Sequence, residues 1–248
     1  MMLLSVLWPV LLSCQESKPT TDSDPTEEID PNLDSDGDGY SDADEAIEGT
    51  DPNDAESVIY QGGWPYNSEK SSMPDPGWEG PPEIGTIAPN FIAVDQHGDM
   101  VNLYDFAGRG KRIVLDVGTP WCSPCKSLAE FLSTNDMSPL IWNEEGEYYP
   151  WWKAEYADLY RMIQEEEIYW ITILFSEDQP VDSSDCHEWD SAYPNEHVPI
   201  LGDSDLAIYT YLNIQSYPAI SILDEDLRFI VYSDGGPFEA LRTLFPQD

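Results

Sequence analysis

Two cysteines set two residues apart, Cys122-Ser123-Pro124-Cys125, are the side chains of this sequence best suited to chemistry. A pair at this spacing can pass two electrons to another disulfide, close a structural bridge, or supply half of a zinc site. Arg112-Ile113-Val114-Leu115-Asp116-Val117 is a short, β-branched, apolar run suited to a central strand. It leads through Gly118-Thr119-Pro120-Trp121 into the pair, and residues 126–133 have helical character. The order strand, CxxC, helix has a physical consequence. The first cysteine sits at a helix N-terminus, where unpaired N–H groups and the helix dipole stabilise a thiolate. Its pKa falls from about 8.5 towards neutrality or below, and the thiolate attacks disulfides. The second cysteine, one turn into the helix, then resolves the mixed disulfide. Zinc sites of four ligands usually need a second CxxC or a His pair. Only Cys186-His187 is on offer, and no partner spacing supports it.

The elements that must position this pair lie within 84–248. Residues 91–94 read as a strand, 96–99 as a turn, 100–103 as its hairpin partner and 103–107 as a short helix. Helical periodicity is clear over 151–166, and 168–175 follows as a strand. A strand at 198–201, a short helix at 205–212, a hairpin of 219–223 with 228–232 and a helix at 237–245 complete the chain. Strands alternating with helices predict an α/β domain with a central sheet flanked by helices.

Trp121-Cys122-Ser123-Pro124-Cys125-Lys126 resembles the active-site motif of the thioredoxin superfamily. Gly85-Thr86-Ile87-Ala88-Pro89-Asn90-Phe91 and the hairpin with Gly98 and Leu103 are similar to its redoxin branch, which holds peroxiredoxins and membrane-tethered thiol–disulfide reductases. The resemblance covers roughly 84–248 and implies a thioredoxin-like sheet and a redox-active Cys122–Cys125 disulfide with Trp121 beside it. No cofactor is then needed; the implied partners are protein disulfides or dithiols and a protein that recycles the site. Asp116, six residues before Cys122, matches the buried acid of thioredoxins, which can take the resolving thiol's proton. Tyr217-Pro218 matches the family's cis-proline, which exposes backbone to a substrate strand. Two departures stand out. Gly118-Thr119-Pro120 replaces an aromatic-rich lead, and 134–167 is long, aromatic and acidic, readable as a lengthened helix packed on the sheet or as a substrate-selecting groove.

Ahead of the domain lies an acidic tether, 14–57, and then a Pro, Gly and Trp-rich linker, 58–83, expected to lie along the surface of the next domain through Trp64 and Trp78. Within the tether, 34–45 fits a twelve-residue calcium loop. Asp34, Asp36, Asp38 and Asp42 fall at positions 1, 3, 5 and 9; Gly39 turns the chain at 6, Tyr40 offers its carbonyl at 7 and Glu45 stands at 12. With Gly49-Thr50-Asp51-Pro52-Asn53-Asp54 the segment resembles a bacterial thrombospondin type 3 repeat, which implies a calcium clip that stiffens the tether. A disordered acidic spacer is the alternative. Residues 1–13 form an apolar run too short to span a bilayer and suited to the core of a secretory signal. Leu11-Leu12-Ser13-Cys14 resembles the lipobox of bacterial lipoproteins, though no Lys or Arg precedes the run. It implies cleavage before Cys14, a diacylated Cys14 thiol and anchoring to a membrane of the cell envelope. Gln15, rather than Asp, directs such a protein to the outer membrane of a Gram-negative cell, on its periplasmic face or the cell surface.

The totals narrow the partners. In 248 residues, 49 acids against 10 bases give a net charge of -39, which excludes the Lys/Arg clustering that nucleic acid requires. Calcium or a basic protein surface suits this charge. A thiol peroxidase, with Thr119 three residues before Cys122 and Cys186 as a distant resolver, competes with disulfide exchange, but Cys125 is the closer partner. Cys186 reads as a free thiol in the acidic segment 182–190. A calcium-binding surface protein with a merely structural CxxC is the non-enzymatic alternative. His97, His187 and His197 stand alone in turns or polar segments.

Overall fold

A computed structural model describes residues 33–37, 40–48, 50–55, 57–232 and 237–246. The signal run, Cys14, Asp38 and Gly39 lie outside the described residues. Helix α1 (Asp42–Glu48) follows the loop, with Asp42, Asp44 and Glu45 in its first turn, where the helix dipole favours negative charge.

Prolines and glycines keep 57–83 out of the sheet, so side chains rather than ladders tie this stretch down. The Tyr60 hydroxyl donates to Asp105 Oδ2 at 2.6 Å, Lys70 Nζ reaches both Asp105 oxygens at 2.9 and 3.0 Å, and Asn67 N donates at 2.9 Å. Trp64 Nε1 donates to Asp95 Oδ2 at 2.7 Å, and Gln61 N to Asp99 Oδ2 at 2.6 Å. Tyr60 and Trp64 belong to the buried core, so the segment is a strap on the domain.

Strands β1 (Ile92–Val94) and β2 (Met100–Asn102) form a hairpin, closed by Asp95, whose Oδ1 takes the His97 and Asp99 N–H groups. The main sheet follows. Strand β3 (Arg112–Gly118) leads into helix α2 (Ser123–Thr134); α3 (Leu159–Gln164) precedes β4 (Ile168–Leu174). Helix α4 (Ser183–Ala192), β5 (Ile200–Gly202), α5 (Ala207–Tyr211), β6 (Ala219–Leu223), β7 (Phe229–Val231) and α6 (Phe238–Leu244) complete the order. The strand order is β5-β4-β3-β6-β7, with β3, β4 and β5 parallel and β6 and β7 antiparallel to their neighbours. Both faces of β3 are covered, which explains its unbroken apolar run. Ile113, Leu115 and Val117 meet the strap and hairpin side, while Val114 meets Leu128 and Phe131 of α2 and Leu241 of α6.

Three stretches differ from the sequence expectation. The single helix expected over 151–166 is a 3-10 turn (Ala154–Asp158) followed by the six residues of α3. Its aromatics pack rather than prolong a helix: Trp152 and Tyr156 are buried, with Trp152 edge-on to Phe131 at 4.8 Å and Tyr156 against Phe245 at 5.2 Å. The acidic segment 182–190 is mostly helix α4, started by a capping box in which Asp182 accepts from Ser184 N and Asp185 N, while the Asp182 N–H donates to Asp185. The strand expected at 198–201 begins two residues later, at Ile200.

Replacing Tyr60 by Phe removes a buried hydrogen bond to a carboxylate and should cost about 1.5–3 kcal/mol. Urea unfolding should show a lower midpoint with an unchanged slope.

Candidate active site

At the end of β3 the chain turns sharply. Cys122 N donates to the Thr119 carbonyl at 3.0 Å, and α2 begins at Ser123 with Pro124 in its first turn, where the missing N–H costs nothing. Cys122 is the N-cap residue of α2, and its sulfur accepts the Cys125 N–H at 3.2 Å. The positive end of a twelve-residue helix is therefore aimed at that sulfur, the arrangement that lowers a thiol pKa. Cys122 and Cys125 are joined as a disulfide. Gly118 makes the close approach possible: a Cβ there would lie 3.1 Å from Cys125 Sγ. The residue that departs from an aromatic lead is thus the one that makes room for the second sulfur.

Side chains alternate along a strand, so Asp116 shares with Gly118 the face that α2 covers. Asp116 is buried, and its Oδ2 accepts the indole N–H of buried Trp170 on β4 at 3.3 Å. Burial pushes its pKa up to about 7, opposed weakly by that hydrogen bond. Tyr217-Pro218 is a cis peptide, immediately before β6, whose Ala219 pairs with Val117 of β3. The strand ends thus bring the disulfide, Asp116 and the cis-proline loop to one end of the sheet. This is the thioredoxin fold.

Beside the disulfide of this thioredoxin fold stands a row of rings. Trp121 is 61% exposed and meets Tyr217 edge-on at 5.6 Å. Tyr217 packs against Phe175 at 5.4 Å, and Phe175 stacks on Tyr209 of α5 at 4.2 Å. The Tyr209 hydroxyl donates to Glu177 at 3.2 Å. Buried Asp203 takes the N–H groups of Ile208 and Tyr209 and so fixes the start of α5; burial raises its pKa to about 6. Trp170, Phe175, Tyr209 and Asp203 were not singled out by sequence reasoning. Period-two alternation in β4 offered one signal, since it sets Trp170 opposite Val114 on the α2 face.

Cys186 lies in α4, fully buried, within the same apolar cluster as the disulfide. Burial pushes its thiol up to about 12, so it stays protonated and does not suit a peroxidase's resolving role. Of the expected calcium donors, Asp34, Asp36, Tyr40, Asp42 and Glu45 are described. Asp34 Oδ1 accepts Gly37 N at 2.6 Å, Asp42 accepts Ser35 N and Oγ, and fully buried Glu45 accepts the Thr50 hydroxyl at 3.2 Å. These are hard oxygen donors of the type calcium takes. Among the described residues, no three His, Cys, Asp or Glu side chains are gathered as a metal site.

Comparison with known proteins finds likenesses in both parts of the chain. Residues 34–55 match the family model described as a bacterial TSP3 repeat. Over 82 residues the chain is 33% identical to the thiol-disulfide oxidoreductase ResA of Bacillus cereus, a match covering 33% of this chain and 38% of that protein. The chain therefore spans less than half the length of the curated relatives it matches. Among solved structures, a secreted Mycobacterium tuberculosis disulfide oxidoreductase is similar at 20% identity and a TM-score of 0.39, over 58% of this chain and 83% of that one. A thioredoxin-like protein from Bacteroides caccae is similar at 17% identity and a TM-score of 0.45, over 67% and 50%.

Asp116 favours its protonated form in the folded protein. The stability this contributes is complete below its ordinary pKa near 3.8 and is lost as pH rises through about 7. Asp116→Asn in the disulfide form should therefore stabilise the protein at about pH 9, by up to about 4 kcal/mol, and much less at about pH 4. Denaturant unfolding at the two pH values checks this.

Proposed function

We propose that the chain is an exported thiol–disulfide oxidoreductase that acts on protein disulfides through Cys122 and Cys125, in the reducing direction. The observation that carries this reading is the Cys122 sulfur held on the N-terminus of α2 with Cys125 at its side. With the pair reduced, the Cys122 thiolate attacks one sulfur of a substrate disulfide. A mixed disulfide forms, and the other substrate sulfur leaves as a thiolate that takes up a proton. Cys125, deprotonated, then attacks Cys122 and expels the second substrate sulfur. Two electrons pass to the substrate, and Cys122–Cys125 is left oxidised for a recycling protein to reduce. In this reading Asp116 takes the Cys125 proton, and its burial beside Trp170, with a pKa raised to about 7, supports that role. Trp121 and the backbone before Pro218 receive the substrate strand.

The N-terminal part serves placement in this reading. Cys14 carries the lipid anchor, and 15–57 holds the redox domain away from the envelope membrane. Asp34, Asp36, Asp38, Asp42, Glu45 and the Tyr40 carbonyl take calcium, which cross-links acidic chain that otherwise repels itself. The bacterial TSP3 match at 34–55 and the oxygen-rich donor set support this part.

Equilibration with glutathione or dithiothreitol tests the redox reading. A reduction potential near about -270 mV with insulin reduction, lost in Cys122→Ser and stalled as a mixed disulfide in Cys125→Ser, is the expected result. A potential near about -120 mV would reverse the direction to disulfide donor. An inert pair would leave a structural bridge.

A further inference from the structure

The rim of the dithiol carries a charge pattern that the exchange reaction does not itself require. Cys122 and Cys125 are only 4% and 5% exposed, whereas Trp121 is 61% exposed. A polypeptide approaching the disulfide therefore meets the rim before it meets sulfur. From Trp121 the rim runs to Tyr217 and Tyr209, which both pack on the buried Phe175 ring, and ends on the Glu177 carboxylate. Glu177 is exposed, and no base pairs with it among the described residues.

The surrounding elements have one sign. The end of β4, α4, β5, α5 and the cis-proline loop all come from the stretch between Arg161 and Arg228, which contains no Lys or Arg. That stretch places Glu177 and Asp178 just after β4, Asp182 and Asp185 at the start of α4, and Asp205 before α5. Val181, between these acids, packs in the same cluster as the two sulfurs. On the other side α2 contributes one base, Lys126, and one exposed acid, Glu130. Ring faces and edges followed by a carboxylate accommodate the apolar stem and charged head of a Lys or Arg side chain. A field of one sign over a nearly buried reaction centre also raises the encounter rate of oppositely charged partners.

We propose that this rim selects basic polypeptides, with a Lys or Arg near the target cysteine lying along Trp121, Tyr217 and Tyr209 and its charge meeting Glu177. This selectivity rests on the exchange reaction at Cys122 and names its substrate class. Glu177 and Tyr209 act as specificity residues, and Asp203 positions Tyr209 through the start of α5.

The test uses the full chain, reduced, and two synthetic peptides with the same central disulfide, flanked by lysines in one and by glutamates in the other. A small uncharged disulfide serves as a third substrate. The expected result is a kcat/KM about tenfold or more higher for the lysine peptide at low salt, carried mainly by KM. The ratio should shrink towards one at about 1 M salt, where the Debye length is about 3 Å. Glu177→Gln should lower the ratio several-fold, whereas Glu239→Gln on α6, which removes the same charge elsewhere, should leave it in place. Equal rates for the two peptides, a ratio indifferent to salt, or equal effects of the two variants would overturn the proposal while leaving disulfide exchange intact. Failure to reduce even the small disulfide would overturn both.

Discussion

The structure depends on how closely one helix N-terminus approaches one strand end. Disulfide chemistry needs a sulfur that leaves or attacks as an anion, and the Cys125 N–H on the Cys122 sulfur provides the field for it. That contact exists only if α2 starts immediately over the end of β3. Gly118 permits this by carrying no side chain where Cys125 lies, and Pro124 permits it by giving up an N–H that the first helical turn leaves unpaired anyway. The rest of α2 is then committed to the sheet: Leu128, Phe131 and Leu132 pack on the face that carries Val114 and Trp170. Packing thus fixes the helix, and the fixed helix sets the electrostatics of the sulfur.

The same face explains the buried acid. A carboxyl two residues before Gly118 points under α2, where water is excluded and no base is near enough to lower its pKa. Among the described residues, the Trp170 indole is its one hydrogen-bond donor. In water the carboxylate would accept several hydrogen bonds, and a single neutral donor offsets little of that loss. The outcome is a group that is neither firmly charged nor firmly neutral at ordinary pH, which is the useful condition for a proton acceptor.

How much of this was legible in the sequence varies with the kind of force involved. Strand β3 and the start of α2 were plain, because an unbroken β-branched run ending in CxxC leaves few readings. Tyr217-Pro218 ahead of an apolar run resembled the family's cis-proline while leaving the isomer open, and the peptide is cis. Helix α4 was not recognised. Its residues are acidic and weakly patterned, and only Cys186 and Trp189 are buried, so periodicity failed there. The signal was Asp182 followed three residues later by Asp185, a capping box with Asp in place of the usual Glu. The strap was read as a linker laid along the domain surface through Trp64 and Trp78, and Trp64 is buried while Trp78 meets Phe91 and Tyr211; the hydrogen-bonded ties were not foreseen. The ties of Tyr60 to Asp105 and Trp64 to Asp95 span 45 and 31 residues, beyond any local pattern. For 151–166 the period was right in kind but overstated in length, since the large aromatics that created it are spent on packing against α2 and α6.

With 49 acids against 10 bases, most carboxylates of this chain have no cation to pair with. Its 9 Trp and 14 Tyr supply an alternative, because indole and phenol groups donate hydrogen bonds while burying large apolar areas. Trp64 serves Asp95, Tyr60 serves Asp105 together with Lys70, and Trp170 serves Asp116. The three differ in what else reaches the carboxylate. Asp95 also takes two backbone N–H groups, and Asp105 has an ammonium and a backbone N–H, so each accepts several donors at once. Among the described residues the indole is the one hydrogen-bond donor to Asp116, and burial raises its pKa to about 7. A Trp indole thus ties a strap to a hairpin at Asp95 and leaves Asp116 a titrating site under α2. Position along β3, under the start of α2, accounts for that difference.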